Sequence, residues 1–206
     1  MATESEILNR LLEYEAMRAT DVAVDYILEL DGADLDAAAR ALGQLFSRGT
    51  PGQMRFAAGL FSPFQNPRGR LRLADLIAGV QRDDRPRVDD FDTNVGNALL
   101  VELERTRDVV AAASLRDVRL GGAGATALAA IFLLLDPATF WSRFDEWPEA
   151  DLPLAVGHIL PALDRETLAR VESDLAAHRD RFPDAIWSRI QDKLTWRRET
   201  LASESP

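Results

Sequence analysis

Apolar residues recur along this chain at three- and four-residue intervals, the spacing that gathers side chains onto one face of a helix. Ile7, Leu8, Leu11 and Leu12 follow Thr3 and Glu6, whose capping-box spacing predicts a first helix. Asp21 stands as the cap of a second, carrying Val22, Tyr26, Ile27 and Leu30 and ended by Asp31-Gly32. A third runs from Leu35 through Leu42 to Phe46 and stops before Gly49. Thr50-Pro51 opens a fourth, with Gln53 in the capping-box position and Met54, Ala57, Ala58 and Phe61 along one face. Two prolines make 62–69 an irregular connection, after which Leu73, Leu76, Ile77 and Val80 mark a short helix.

The stretch from Arg82 to Asp90 is the most polar in the chain and reads as an exposed loop. Beyond it a long helix is expected over about 93–113. From Leu120 to Leu135 no charge occurs at all. As a helix rising 1.5 Å per residue this run reaches about 24 Å at most, short of the roughly 30 Å of a bilayer core. It therefore reads as a central helix buried on all sides, with membrane insertion as the lesser alternative. Leu152, Val156, Ile159 and Leu160 form another apolar face that Pro161 ends. Asp164 caps a helix bearing Leu168, Val171 and Leu175, and the tail from Ala202 is expected to fray.

Within this pattern one phrase occurs twice. Pro137, Phe140, Trp141, Ser142, Arg143 and Phe144 are echoed 46 residues later by Pro183, Ile186, Trp187, Ser188, Arg189 and Ile190. A proline in the first turn suits a helix start, and the aromatic or aliphatic pair four residues apart shares one face. Arg143 and Arg189 fall beside that face, within reach of an aromatic ring or an acid on a neighbouring helix. The period matches helical solenoid repeats of about 40–47 residues. The expected fold is all-α: a multi-helix bundle with a C-terminal HEAT/armadillo-like helical-repeat array. It forms a single domain over 1–206, divisible at the polar stretch into an N-terminal half, 1–82, and a C-terminal repeat half, 93–201.

Composition agrees with a packed protein. Of 206 residues, 47% are hydrophobic and 28% charged, the usage of globular chains rather than disordered ones. No cysteine is present, so disulfides, thiolate metal sites and cysteine nucleophiles are excluded together. Acids occupy the first residues where a secretory signal needs bases and an apolar core, so a cytoplasmic location is expected. The net charge of −10 opposes nucleic-acid binding, which rests on phosphate neutralisation by bases. Lys193 is the single lysine among many arginines, a bias that reflects a GC-rich bacterial genome.

Candidate chemistry is sparse. His158 and His178 lack a second histidine or a carboxylate at helical spacing, so neither begins a metal site; His158 reads as a core or groove histidine and His178 as solvated. Asp21 with Asp25, and Asp89, Asp90 and Asp92, have the look of magnesium ligands, but the second group equally suits acids at a helix start. Arg68, Arg70 and Arg72 form a basic cluster able to meet an anion or an acidic partner. No phosphate loop, dinucleotide fingerprint or nucleophile elbow occurs. No catalytic residue, cofactor or metal is assigned. The positions carried forward as binding candidates are Arg68, Arg70, Arg72, Asp89, Asp90, Asp92 and His158.

The function expected of such a chain is non-catalytic: an acidic helical scaffold binding a basic protein, as an inhibitor or immunity protein or as a complex subunit. One alternative is a small helical enzyme or ligand-binding protein with a pocket between the halves, using Asp21, Asp25 and His158. Another is a membrane-active effector using Leu120–Leu135.

Overall fold

A computed structural model describes residues 3–65 and 70–204, and these form thirteen α-helices, four short 3₁₀ turns and no strand. The first six helices are α1 (Glu4–Ala16), α2 (Thr20–Leu28), α3 (Gly32–Arg48), α4 (Pro51–Gly59), α5 (Ser62–Gln65) and α6 (Leu73–Val80). Then come α7 (Asp89–Thr106), α8 (Val109–Ala113), α9 (Gly122–Leu135), α10 (Pro137–Ser142), α11 (Leu152–Ile159), α12 (Arg165–Ala177) and α13 (Asp184–Ser203). Both predicted capping boxes are closed: the Thr3 and Thr50 side chains accept from the backbone N–H groups of Glu6 and Gln53, whose own side chains accept from the cap residues in return.

Two helices organise the packing. In the first part α3 buries nine of its residues and packs against α1, α4 and α6. In the second, every residue of α9 from Gly124 to Leu134 is buried, surrounded by α7, α8, α10 and α11. The apolar run is thus spent on the core, and no helix among the described residues is long and apolar enough to cross a membrane. The α7–α9 contact is the most extensive in the fold, and glycine makes it possible: a Cβ on Gly124 would lie 2.3 Å from the Asp92 carbonyl oxygen, and one on Gly96 2.7 Å from the Gly124 Cα. Phe46 of α3 stacks on Phe91 of α7 at 5.7 Å and meets Phe61 edge-on at 5.0 Å, so buried side chains from Ile7 to Leu194 form one continuous cluster.

Several expected boundaries move. Asp21 does not cap α2; Ala19 precedes the helix without any side-chain bond, because the chain turns through Arg18 at φ 55°. That places Ala23 and Ile27 inward and leaves Val22, expected on the apolar face, 51% exposed. The helix expected over 93–113 begins earlier and breaks at left-handed Arg107, after which the Asp108 side chain caps α8. The expected irregular connection includes the short α5, and residues 66–69 lie outside the described segments. At the C terminus α13 is helical to Ser203, past the point of expected fraying.

The echoed phrase takes two different forms. Pro137 is the first residue of α10, capped by Asp136, whereas Pro183 stands one position before α13. The first helix ends after six residues and the second runs for twenty. Arg143 is buried, its guanidinium 4.5 Å from the Trp147 ring and bonded to Glu146 at 3.0 Å; Arg189 is exposed with no partner among the described residues. His178, expected to be solvated, is half-buried: it stacks on Trp141 at 3.8 Å and contacts the Asp174 carbonyl oxygen through Nδ1.

Candidate binding cleft and acidic face

The predicted site residues are scattered, and two of them, Arg70 and Asp92, have structural work. Arg70 bonds to Asp36 at 2.6 Å and to the Gly32 carbonyl, clamping the start of α3. Arg72 is exposed, and Arg68 lies outside the described residues, so no basic cluster faces a common ligand among those described. Asp92 is buried: it pairs with Arg85 at 2.8 Å and accepts from the Gly121 N–H at 2.7 Å, tying the starts of α7 and α9 together. Asp89 is exposed, and Asp90 turns toward a cleft described below.

His158 is exposed on α11 and not a core residue. Desolvation by the surrounding protein still lowers its pKa below the ordinary imidazole value, with the Lys193 charge acting in the same direction and Glu104 opposing. Lys193 rests over Gly157, where a Cβ would come within 3.0 Å of Nζ. Asp21 and Asp25 are exposed on α2, which packs on α1 and α5, while α11 packs on α9 and α13. The pocket reading needed Asp21 and Asp25 to meet His158, and the two aspartates share the outer face of α2 while His158 sits on α11. No group of three or more His, Asp or Glu side chains among the described residues is arranged to hold a metal ion.

Two surface features do gather unpaired groups. The first is the outer face of α2. Asp21, Asp25 and Glu29 succeed one another at four-residue intervals, all exposed, and none has a basic partner among the described residues. Met17 (63% exposed), Val22 and Leu28 (65%) are the large apolar residues exposed in the same segment. On the inner side Tyr26 meets Tyr14 of α1 at 5.8 Å, and desolvation raises its pKa. Ala23 and Ile27 are the residues that α2 buries in the core, so its outer face is free.

The second is an open cleft of about 890 Å³ between the α1–α2 corner, α4 and the first turns of α7. Phe56 and Phe91 form its apolar part; Glu15, Arg18, Arg55 and Asp90 bring charge, and Thr20, Thr93 and Asn94 add polar groups. None of the four charged side chains makes an ion pair or hydrogen bond with another described residue. Arg18 reaches the cleft because the chain leaves α1 in the left-handed region, held by its N–H bond to the Glu15 carbonyl at 2.9 Å and that of Ala19 to Tyr14. Of these residues only Asp90 was a candidate from sequence. Arg18 lies in the turn after α1 and Arg55 on the polar side of α4, and nothing in their local spacing signals a shared cleft.

No protein family, curated protein or solved structure matches this chain.

Proposed function

We propose that the chain is a non-catalytic interaction module that receives a basic segment of a partner protein on the outer face of α2, as an inhibitor, an immunity protein or a complex subunit. The observation that carries this reading is the acidic stripe Asp21, Asp25 and Glu29, exposed and unpaired beside exposed Val22 and Leu28. Like charges four apart on a helix cost about 0.2–0.5 kcal/mol per pair. A nine-residue helix without a side-chain cap has little margin for that cost, since short helices owe their stability to packing. A partner segment carrying lysine or arginine at matching intervals relieves the repulsion and covers the apolar residues. The net charge of −10 favours its approach through long-range attraction.

The scaffold reading includes two docked helical units of HEAT/armadillo-like kind, α9–α10 and α12–α13. Phe140, Phe144, Ile186 and Ile190, buried at matched positions, support it; the unequal lengths of α10 and α13 count against equal units. A cytoplasmic location belongs to the same proposal.

The test compares wild type with the triple variant D21N/D25N/E29Q in pull-downs from the native host at low salt. A partner retained by wild type and lost by the variant, with its retention falling as salt is raised, is the expected result. Both baits recovering the same proteins would overturn the proposal. Thermal melts add a control: the variant should be slightly more stable than wild type, because the stripe opposes folding when unoccupied.

A further inference from the structure

The cleft beside α4 is distinct from the α2 face in the groups it offers. Its volume of about 890 Å³ lies within the range of small-molecule sites, about 300–1,000 Å³. Elsewhere in this protein arginines are mostly committed: Arg82 to the Gly49 carbonyl and Asp84, Arg85 to Asp92, Arg143 to Glu146, Arg181 to Asp145 and the Trp141 carbonyl. Arg18 and Arg55 line the cleft without such a bond, and so do Glu15 and Asp90, although charges of both signs share one concavity. Arg18 moreover occupies a left-handed position at φ 55° that glycine adopts without strain.

A polyphosphate or other polyanion would share the cleft with Glu15 and Asp90, and a polycation would share it with Arg18 and Arg55. A ligand with one carboxylate and one ammonium group satisfies both sets. The planar fork of a guanidinium suits the carboxylate, and the free carboxylates suit the ammonium. Phe56, 8% exposed, borders the cleft on its apolar side, with Phe91 buried behind it, where the body between the two charges would lie. A single amino acid is small for this volume; a peptide of a few residues fills it. We infer that the cleft is a binding site for a zwitterionic ligand of short-peptide size, its carboxylate held by Arg18 and Arg55 and its ammonium by Glu15 and Asp90.

The cleft is independent of the α2 proposal, since neither Asp21, Asp25 nor Glu29 lines it. The probe is the free tripeptide Gly-Phe-Gly, compared with its N-acetylated and C-amidated forms by amide chemical-shift titration of the full chain. Shifts of residues 52–59 and 90–94 with the free tripeptide are expected, each blocked form binding at least about tenfold more weakly. Arg55→Gln should reduce the penalty of C-amidation, with Arg18 retaining part of it, and Asp90→Asn should reduce that of N-acetylation. Both side chains are exposed, so neither change disturbs packing. The inference is overturned by absence of shifts in these segments at about 10 mM tripeptide, enough to saturate a site with Kd near 1 mM. It is equally overturned if both blocked forms bind as well as the free one, or if only the carboxylate matters, which would make the cleft a simple anion site.

Discussion

Replacing Gly124 by alanine should destabilise this protein by about 3 kcal/mol, toward the upper end of the overpacking range. The added Cβ would stand 2.3 Å from the Asp92 carbonyl oxygen and 2.7 Å from its carbon, about 1 Å inside ordinary contact. Both atoms are main chain of α7, so no side-chain rotation relieves the clash and the two helices must separate. At Gly96 the built Cβ meets the Gly124 Cα at 2.7 Å and the Ala127 Cβ at 3.1 Å. Alanine there gains about 1 kcal/mol of helix propensity, which offsets part of the strain and leaves a net loss of about 1–2 kcal/mol. Gly59 is the control, because its Cβ would touch only the Thr20 methyl at 3.7 Å, and Gly59→Ala should be neutral or stabilising by up to about 1 kcal/mol. Thermal melts followed by circular dichroism read the series, each kcal/mol corresponding to about 2–4 °C for a chain of this size. The double variant G96A/G124A should cost less than the sum of the singles, since one separation accommodates both methyl groups. A Gly124→Ala protein melting at or above wild type would refute the close α7–α9 crossing.

Two further outcomes test the C-terminal half. Burial pushes the Asp136 carboxyl up, but hydrogen bonds from Thr139 and Arg116 outweigh it and hold the pKa below the ordinary value. Its contribution is therefore complete above the unfolded pKa and lost as pH falls through the folded one, so Asp136→Ala should cost about 1–2 kcal/mol at pH 7 in chemical denaturation and progressively less below about pH 4. Trp141→Phe removes the Nε1 bond to Asp174, 2.8 Å, and should cost about 1–2 kcal/mol, whereas Trp187→Phe should cost less than about 0.5 kcal/mol in the same assay, because the Trp187 N–H has no hydrogen-bond partner among the described residues and phenylalanine keeps a ring against Phe182 and Arg179; equal losses would sink this distinction.

Local signals carried the secondary structure well wherever a helix had its own cap. Thr3, Thr50 and Asp164 each accept the backbone bond that their spacing implied. The α2 start failed because what decides it is the left-handed turn at Arg18, and an arginine gives no warning of positive φ. The charge run 82–90 is largely exposed and non-helical to residue 88, as expected, but two of its arginines are not solvated. Arg82 and Arg85 look solvated in sequence, yet one reaches back to the Gly49 carbonyl and the side chain of the other is buried against Asp92. Long-range pairing of this kind leaves no periodicity. The cleft was illegible for the same reason: α1, the turn after it, α4 and α7 contribute its charges, and only the tertiary packing shows that they line one concavity. Of the two places expected for His158, core or groove, the core is ruled out: Val156 and Ile159 beside it on α11 face inward and the imidazole does not.

The echoed phrase shows how equal letters acquire unequal jobs. After Arg143 the chain continues into Phe144-Asp145-Glu146-Trp147-Pro148, and the helix gives way to a 3₁₀ turn before that proline. Trp147 then folds back, its Nε1 donating to the Phe140 carbonyl at 3.0 Å, and its ring covers the Arg143 guanidinium. No proline follows Arg189 within α13, so the helix runs on and Arg189 stays on its outer side. The two segments are also in contact, Phe144 against Phe182 at 5.2 Å and Arg181 over Phe144 at 4.3 Å, while Trp141 stacks between Phe144 and His178. Burial and pairing thus account for Trp141, Arg143 and Trp187 as packing residues, which is why the unpaired groups of the α2 face and the α4 cleft carry the functional proposals instead.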